Sequence, residues 1–185
     1  MGTGRPYILH QSTPDDRLAG LAAFNAEVAR NTYNKINDVI KKEARTDSMT
    51  RINNMEGFVE QAQYIFKCYP DQKFAVIKFG IRDFRFINRT YGFSTGDRLL
   101  KTIARNLEEA CGRREVCGRI EKDIFSILLV YEGENSMRRR MEEIRRELTK
   151  DGWIKEIELE VWLNAGIYIP TDTRSETVKG CLIRR

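Results

Sequence analysis

The chain has 185 residues, 41% hydrophobic and 32% charged, with a formal net charge of +5. That balance describes a soluble globular protein of one ordinary domain with room for an extra helix. No apolar run approaches the ~20 residues of a membrane span. The opening "MGTGRPYILHQSTPDD" lacks the charged-then-apolar pattern of a signal peptide.

Lys and Arg alternate with Asp and Glu along most predicted helices, the pattern of solvated faces rather than of a nucleic-acid surface. No aromatic residues interleave with a basic stripe as a base-stacking platform requires. Four cysteines (Cys68, Cys111, Cys117, Cys181) form no CxxC pair, and His10 is the single histidine. These counts argue against a zinc site and against a Ser-His or Cys-His nucleophile. The cysteines read as reduced, partly buried side chains of a cytosolic protein. Any chemistry must come from carboxylates, Lys and Arg, backbone groups or a bound metal.

In chain order, residues 1–14 read as an unstructured or appended start. Residues 15–45 have no Gly or Pro after Gly20 and predict one long helix. Ala22, Ala26, Ala29, Tyr33, Ile36 and Ile40 recur at spacings of four and three, the seam of a short coiled coil or of an amphipathic helix laid on its own domain. Asp47 or Ser48 is placed to cap a helix through "MEGFVEQAQYIFKCY", which carries Phe58, Ala62, Ile65 and Phe66 on one face. "KFAVIKFGI" at 73–81 predicts a strand, and Leu99, Leu100, Ile103, Ala104 and Leu107 mark a helix over 95–111. A hairpin over 115–131, a charged helix over 135–150 and a strand over 157–170 follow. The last fifteen residues suggest no complete element. An antiparallel hairpin mixed with crossover helices indicates an α+β sheet with helices on its faces, close to the ferredoxin-like plan, after a long N-terminal helix.

In such a plan the end of the central strand meets the hairpin tip, so residues 80–85 and 119–123 should lie together. Carboxylates there could share a divalent cation bound to a polyphosphate. The strand end offers "FGIRDF", and the tip offers Glu121, Lys122 and Asp123, of which only Asp123 is well placed. Two-residue turns prefer glycine, so Glu121 and Lys122 are unexpected at the tip.

"DFRFINRTYGFSTGDRLL" at 83–100 resembles the GGDEF domain, the diguanylate cyclase module of bacterial signalling. That family's segment reads D-[IL]-D-x-F-K-x-[IV]-N-D-x-x-G-H-x-x-G-D-x-x-L. Phe84, Arg85, Ile87, Asn88, Tyr91, Gly92, Gly96, Asp97 and Leu100 match or conservatively replace it. Upstream, "TDSMTRINNMEGF" is similar to D-x-L-T-G-L-x-N-R-x-x-F at Asp47, Thr50, Asn53 and Phe58. Downstream, "GRIEKDIF" falls on R-[YL]-G-G-[DE]-E-F, and "LNAGIYIP" on the S-x-G-I-x strand.

The resemblance runs over 46–185. It implies a nucleotidyl-cyclase-type fold and a fragment of a longer GGDEF or GGDEF-EAL protein, since the family's usual C-terminal helix would begin at "CLIRR". The long helix takes the place of the family's signalling linker.

The resemblance also implies a degenerate site. The glycine pair that lets the hairpin approach GTP becomes Glu121 and Lys122, and Ile124 replaces a carboxylate. Asp123 keeps the acidic metal-binding place, and Phe125 the core anchor. The first metal-ligand aspartate falls on Gly80 and the next on Arg82, so Mg2+ and triphosphate binding should be weakened. The feedback motif R-x-x-D falls on Gly112 and Glu115, without its arginine.

Asn88 and Asp97 fall on the guanine-reading positions. Arg85, with the backbone amides of Asp83 and Phe84, falls near the phosphates. Asn88 could equally brace the turn, Asp97 cap the following helix, and Arg85 be a surface charge.

Three functions follow. The first is a regulatory, GTP-sensing domain without cyclase activity, feeding a fused output domain of the EAL phosphodiesterase type. The second is an interaction module with no nucleotide, and the third an active cyclase using Asp83 or Glu121 with Asp123 as substitute ligands. The implied partners are GTP, a second copy through the long helix, and fused sensor and output domains in the cytoplasm.

Overall fold

A computed structural model describes residues 14–156, 163–170 and 177–183. The chain divides into two units, one ending at Lys42 and the other beginning at Glu43.

Helix α1, Pro14–Ala44, accounts for the described part of the first unit and ends with Lys41 and Lys42 in its last turn, where cations oppose the helix dipole. Its apolar side chains Leu21, Phe24, Val28, Tyr33, Ile36 and Ile40 are exposed.

In the second unit the described elements are α2 (Met55–Cys68), β1 (Phe74–Ile81), α3 (Phe84–Tyr91), α4 (Phe93–Ala110), β2 (Val116–Glu121), β3 (Ile124–Val130), α5 (Glu134–Leu148), α6 (Gly152–Glu156), β4 (Leu163–Tyr168) and α7 (Val178–Ile183). The strands form one sheet in the order β2-β3-β1-β4, and every neighbouring pair is antiparallel. This is the α+β plan the sequence predicts, with the hairpin strand β3 and the last strand flanking β1.

β1 is apolar almost throughout because both its faces are covered. Ile77, Phe79 and Ile81 join Phe125, Ile127, Leu129 and the stripe Leu99, Leu100, Ile103, Leu107 of α4 in one core, with Ile144 and Leu148 of α5. Phe74 and Val76 face the other way, into a core with Phe58, Ala62 and Phe66 of α2, Leu128, and Val178 and Leu182 of α7. The short helix α7 thus forms where the sequence suggested no element, because its Val178 and Leu182 complete this second core.

Several local expectations change for identifiable reasons. α2 is capped by Asn54, whose side chain accepts from Gly57 N, rather than by Asp47 or Ser48; the lead-in loop occupies the intervening residues. The helix expected from 95 starts at Phe93, and a separate α3 precedes it, divided from it by Gly92 at φ 86°. Asp97 therefore sits inside α4 and does not cap it. Of the strand expected over 157–170, residues 163–168 are strand; 157–162 lie outside the described residues. Cys68 is exposed, Cys111 half-buried and Cys117 buried, all as free thiols.

Glu115, where the feedback motif's aspartate would stand, is a structural brace. Its carboxylate accepts from Gly112 N at 2.8 Å and from Arg140 at 2.8 Å, and Arg140 also donates to the Ala110 carbonyl. One carboxylate thereby ties the end of α4 to α5.

Gly118 shows how tightly α2 lies on the sheet. A Cβ there would meet both the Asn53 carbonyl oxygen and Phe58 Cβ at 2.8 Å. Gly118→Ala is expected to destabilise the domain by about 1–3 kcal/mol through this overpacking, read as a lowered denaturant midpoint. An unchanged midpoint would mean that α2 lies less close to β2.

Candidate nucleotide site

The antiparallel register sets Gly80 of β1 opposite Ile124 of β3. The end of β1 and the hairpin tip are therefore neighbours, as the sequence predicts. Ile81 N donates to the Asp123 carbonyl at 3.4 Å. A Cβ placed on Gly80 would lie 3.8 Å from that carbonyl and 3.9 Å from Asp123 Oδ2. The space for a side chain beside Asp123 exists and is not filled.

The tip itself lies one residue later than expected. Glu121 is the last residue of β2 and pairs with Ile124, so Lys122 and Asp123 make the turn. A register irregularity between Arg119 and Glu121 causes the shift. Lys122 takes the positive φ of 43° that a tight turn demands.

Arg119 holds this strained turn. Its Nε donates to the Lys122 carbonyl at 2.6 Å, and its Nη1 donates to Asp47 at 3.0 Å. Asp47 also accepts from the Thr50 amide and hydroxyl. Burial works to raise the Asp47 pKa, but the Thr50 and Arg119 hydrogen bonds, with the Arg119 charge, outweigh it and hold the carboxyl below its ordinary 3.8. The sequence offered both residues, Arg119 as the first letter of the tip motif and Asp47 as a presumed helix cap, but nothing in it says that they meet.

Beyond β1 the chain turns sharply. Asp83 adopts φ 55°, and its carbonyl accepts from Phe86 N at 2.7 Å to start α3. Between this turn and the hairpin tip lies a cavity of about 590 Å³ lined by Asp83, Phe84, Arg85, Phe86, Arg89, Ile81, Lys122 and Asp123. Four of the expected residues, Asp83, Phe84, Arg85 and Asp123, are thus brought together, and Lys122 and Arg89 join them. Arg89 carried no sequence signal beyond its place one turn after Arg85.

Asn88 and Asp97 are not among the residues lining that cavity. Asn88 Oδ1 is buried without a hydrogen-bond partner among the described residues. It presses so close to Gly96 that any Cβ there would collide with it. Asp97, the next residue, lines a separate hollow of about 730 Å³ with Met49, Thr50, Arg98 and Lys101.

A fold of this class would place a divalent metal between the β1 end and the tip, and the donor set does not fit one. Gly80 has no side chain, Ile124 is apolar, and the cations Arg85, Arg89 and Lys122 line the cavity alongside Asp83 and Asp123. Among the described residues no three His, Cys, Asp or Glu side chains converge to hold a metal ion.

An antiparallel β2-β3-β1-β4 sheet with a cavity between the β1 turn and a hairpin tip defines a nucleotidyl-cyclase-type domain. The chain belongs to the GGDEF family: the family described as "Diguanylate cyclase, GGDEF domain" matches residues 44–182. It is 31% identical over 95 residues to the biofilm architecture maintenance protein MbaA of Vibrio cholerae, a match covering 47% of this chain and 12% of that protein. It is 29% identical over 97 residues to the cyclic di-GMP phosphodiesterase PdeB of Shewanella oneidensis, covering 49% and 10%. These matches span about a tenth of either relative's length. The crystal structure of the coiled coil and GGDEF domain of DgcB from Caulobacter crescentus, in complex with c-di-GMP, superposes with a TM-score of 0.68 at 19% identity, covering 89% of this chain and 87% of that one. At that identity the likeness is one of fold.

Because the Asp47 carboxyl titrates lower folded than unfolded, its stabilisation is present above the ordinary value and is lost as pH falls through the lowered one. Arg119→Met is expected to destabilise the domain by about 2–3 kcal/mol near neutral pH. In denaturant titrations across pH, the gap to wild type should narrow below pH ~4 as Asp47 protonates. A gap independent of pH would show that Arg119 acts through packing alone.

Proposed function

We propose that this chain is the GGDEF domain of a cyclic di-GMP signalling protein, and that it binds GTP without converting it. Its occupancy would regulate a fused output domain such as an EAL-type phosphodiesterase. The observation that carries this reading is Asn88 Oδ1, a buried acceptor with no hydrogen-bond partner among the described residues. Leaving such a group unsatisfied is costly, and the guanine edge supplies the N–H donors that would satisfy it. Gly96 supports the reading, because its missing Cβ is what lets the Asn88 amide sit against α4.

The absence of turnover is argued from Gly80. In-line transfer between two nucleotides needs a metal to activate the attacking hydroxyl and neutralise the developing charge. Gly80 leaves Asp123 without a facing carboxylate, and Asp83, at the N-terminus of α3, stands three residues further on. Mg2+ held by Asp123 alone would be held weakly.

A second reading, a dimerisation role for α1, rests on its exposed apolar side chains. Tyr33 is 69%, Ile36 54% and Ile40 61% exposed, and the three repeat at heptad-like spacing. A parallel pair of such helices would bury them. Sedimentation should then show a dimer for the chain and a monomer for Ile36→Asp/Ile40→Asp; a wild-type monomer at micromolar concentration would remove this role.

Titration calorimetry tests the main reading. GTP is expected to bind and ATP not to, and Asn88→Ala should weaken GTP by roughly tenfold or more. After prolonged incubation with GTP, chromatography should find no cyclic di-GMP. Product formation would mean that substitute ligands restore the reaction, and no GTP binding would leave α1 as the functional element.

A further inference from the structure

The misfit between the donor set and a divalent metal points to a different way of holding phosphate. Resting on the GTP-binding reading above, we propose that the cavity at the hairpin tip binds the triphosphate through the fixed cations Lys122, Arg85 and Arg89, with no divalent metal.

Three observations carry this. The place of one metal ligand is empty: a Cβ at Gly80 would touch the Asp123 carboxylate only at van der Waals distance, and glycine brings no ligating atom. The cavity instead gathers three cations against the two carboxylates Asp83 and Asp123. Finally, Lys122 occupies a left-handed backbone position, φ 43°, which glycine adopts freely and a side-chain-bearing residue only against strain. Arg119 clamps the Lys122 carbonyl at 2.6 Å, so the backbone that carries this ammonium is fixed.

The chemistry follows from charge. Mg2+ normally neutralises part of a triphosphate and presents it to carboxylates. A cavity with an excess of ammonium and guanidinium groups instead favours the uncomplexed, more negative form. Lys122 would compete with a metal for the same oxygens while repelling the metal itself. Arg85 and Arg89, one turn apart on α3, reach the cavity from the opposite wall.

Calorimetry of GTP into the full chain, in EDTA and again in excess Mg2+, tests the proposal. The expected result is binding in EDTA that is as tight as in Mg2+ or tighter. Lys122→Gly should weaken the EDTA binding about tenfold, the effect of one charge-assisted contact, without lowering the melting temperature, because glycine relaxes the turn. Arg85→Gln should weaken it similarly. Gly80→Asp combined with Lys122→Gly should make binding depend on Mg2+. Binding that requires Mg2+ in the wild type, or that ignores both Lys122→Gly and Arg85→Gln, would overturn the metal-free site and leave the GTP reading intact. No binding in either buffer would overturn both.

Discussion

One guanidinium organises the working end of this domain. Arg119 leaves β2 with its side chain about 10% exposed and reaches Asp47 in the lead-in loop with one arm and the carbonyl of Lys122 with the other. Both bonds are charge-assisted; the one to Asp47 is partly buried and the one to Lys122 lies at the surface. The loop before α2 and the tip between β2 and β3 are far apart in sequence and become a single rigid body through it. The backbone supports the same joint: Asn53 bridges Gly118, and Arg119 N donates to the Asn53 carbonyl at 2.7 Å. These two bonds set the aim of the hairpin tip.

That aim matters because of where the sheet register places things. Antiparallel pairing of β1 with β3 brings Gly80 against the residue after the tip, so a side chain at Gly80 and one at Asp123 share one space. The cores on the two faces of the sheet hold this register, since slipping by one residue would turn Ile77, Phe79 and Phe125 to the wrong side. The packing interior thus fixes the distance between functional groups that lie outside it. A glycine at position 80 leaves that space open without touching the core.

How much of this could be read from the sequence depended on how local the cause was. The sheet, the α4 stripe and the hairpin were legible, because apolar periodicity is written residue by residue. The meeting of the strand end with the tip followed from the topology those elements imply. The one-residue shift of the tip was not legible, since the irregularity around Arg119 and Glu121 is a property of the pairing. Asp47 looked like a cap because Asp before a helix usually is one; its true partner lies 72 residues away. Glu115 looked like half of a ligand motif, and only the fold reveals Arg140 against it. α6 and α7 were missed because helices of five and six residues carry too little pattern to detect.

The turns of this domain carry side chains in backbone positions that glycine adopts more easily. Three non-glycine residues have positive φ among the described residues: Arg51 at 67°, Asp83 at 55° and Lys122 at 43°. Arg51 and Lys122 stand where the GGDEF pattern carries glycine, and each costs about 1–2 kcal/mol relative to an unstrained residue. The surroundings impose the conformation at both places: Arg51 N donates to the Asp47 carbonyl at 2.8 Å, and Arg119 grips the Lys122 carbonyl. Two turns that glycine would make easily are held here by hydrogen bonds to the same Asp47–Arg119 joint. These bonds explain how the fold tolerates charged side chains at the two turns. The framework is held by its hydrogen bonds, and the side chains mounted on it, Lys122 among them, set the charge the cavity presents.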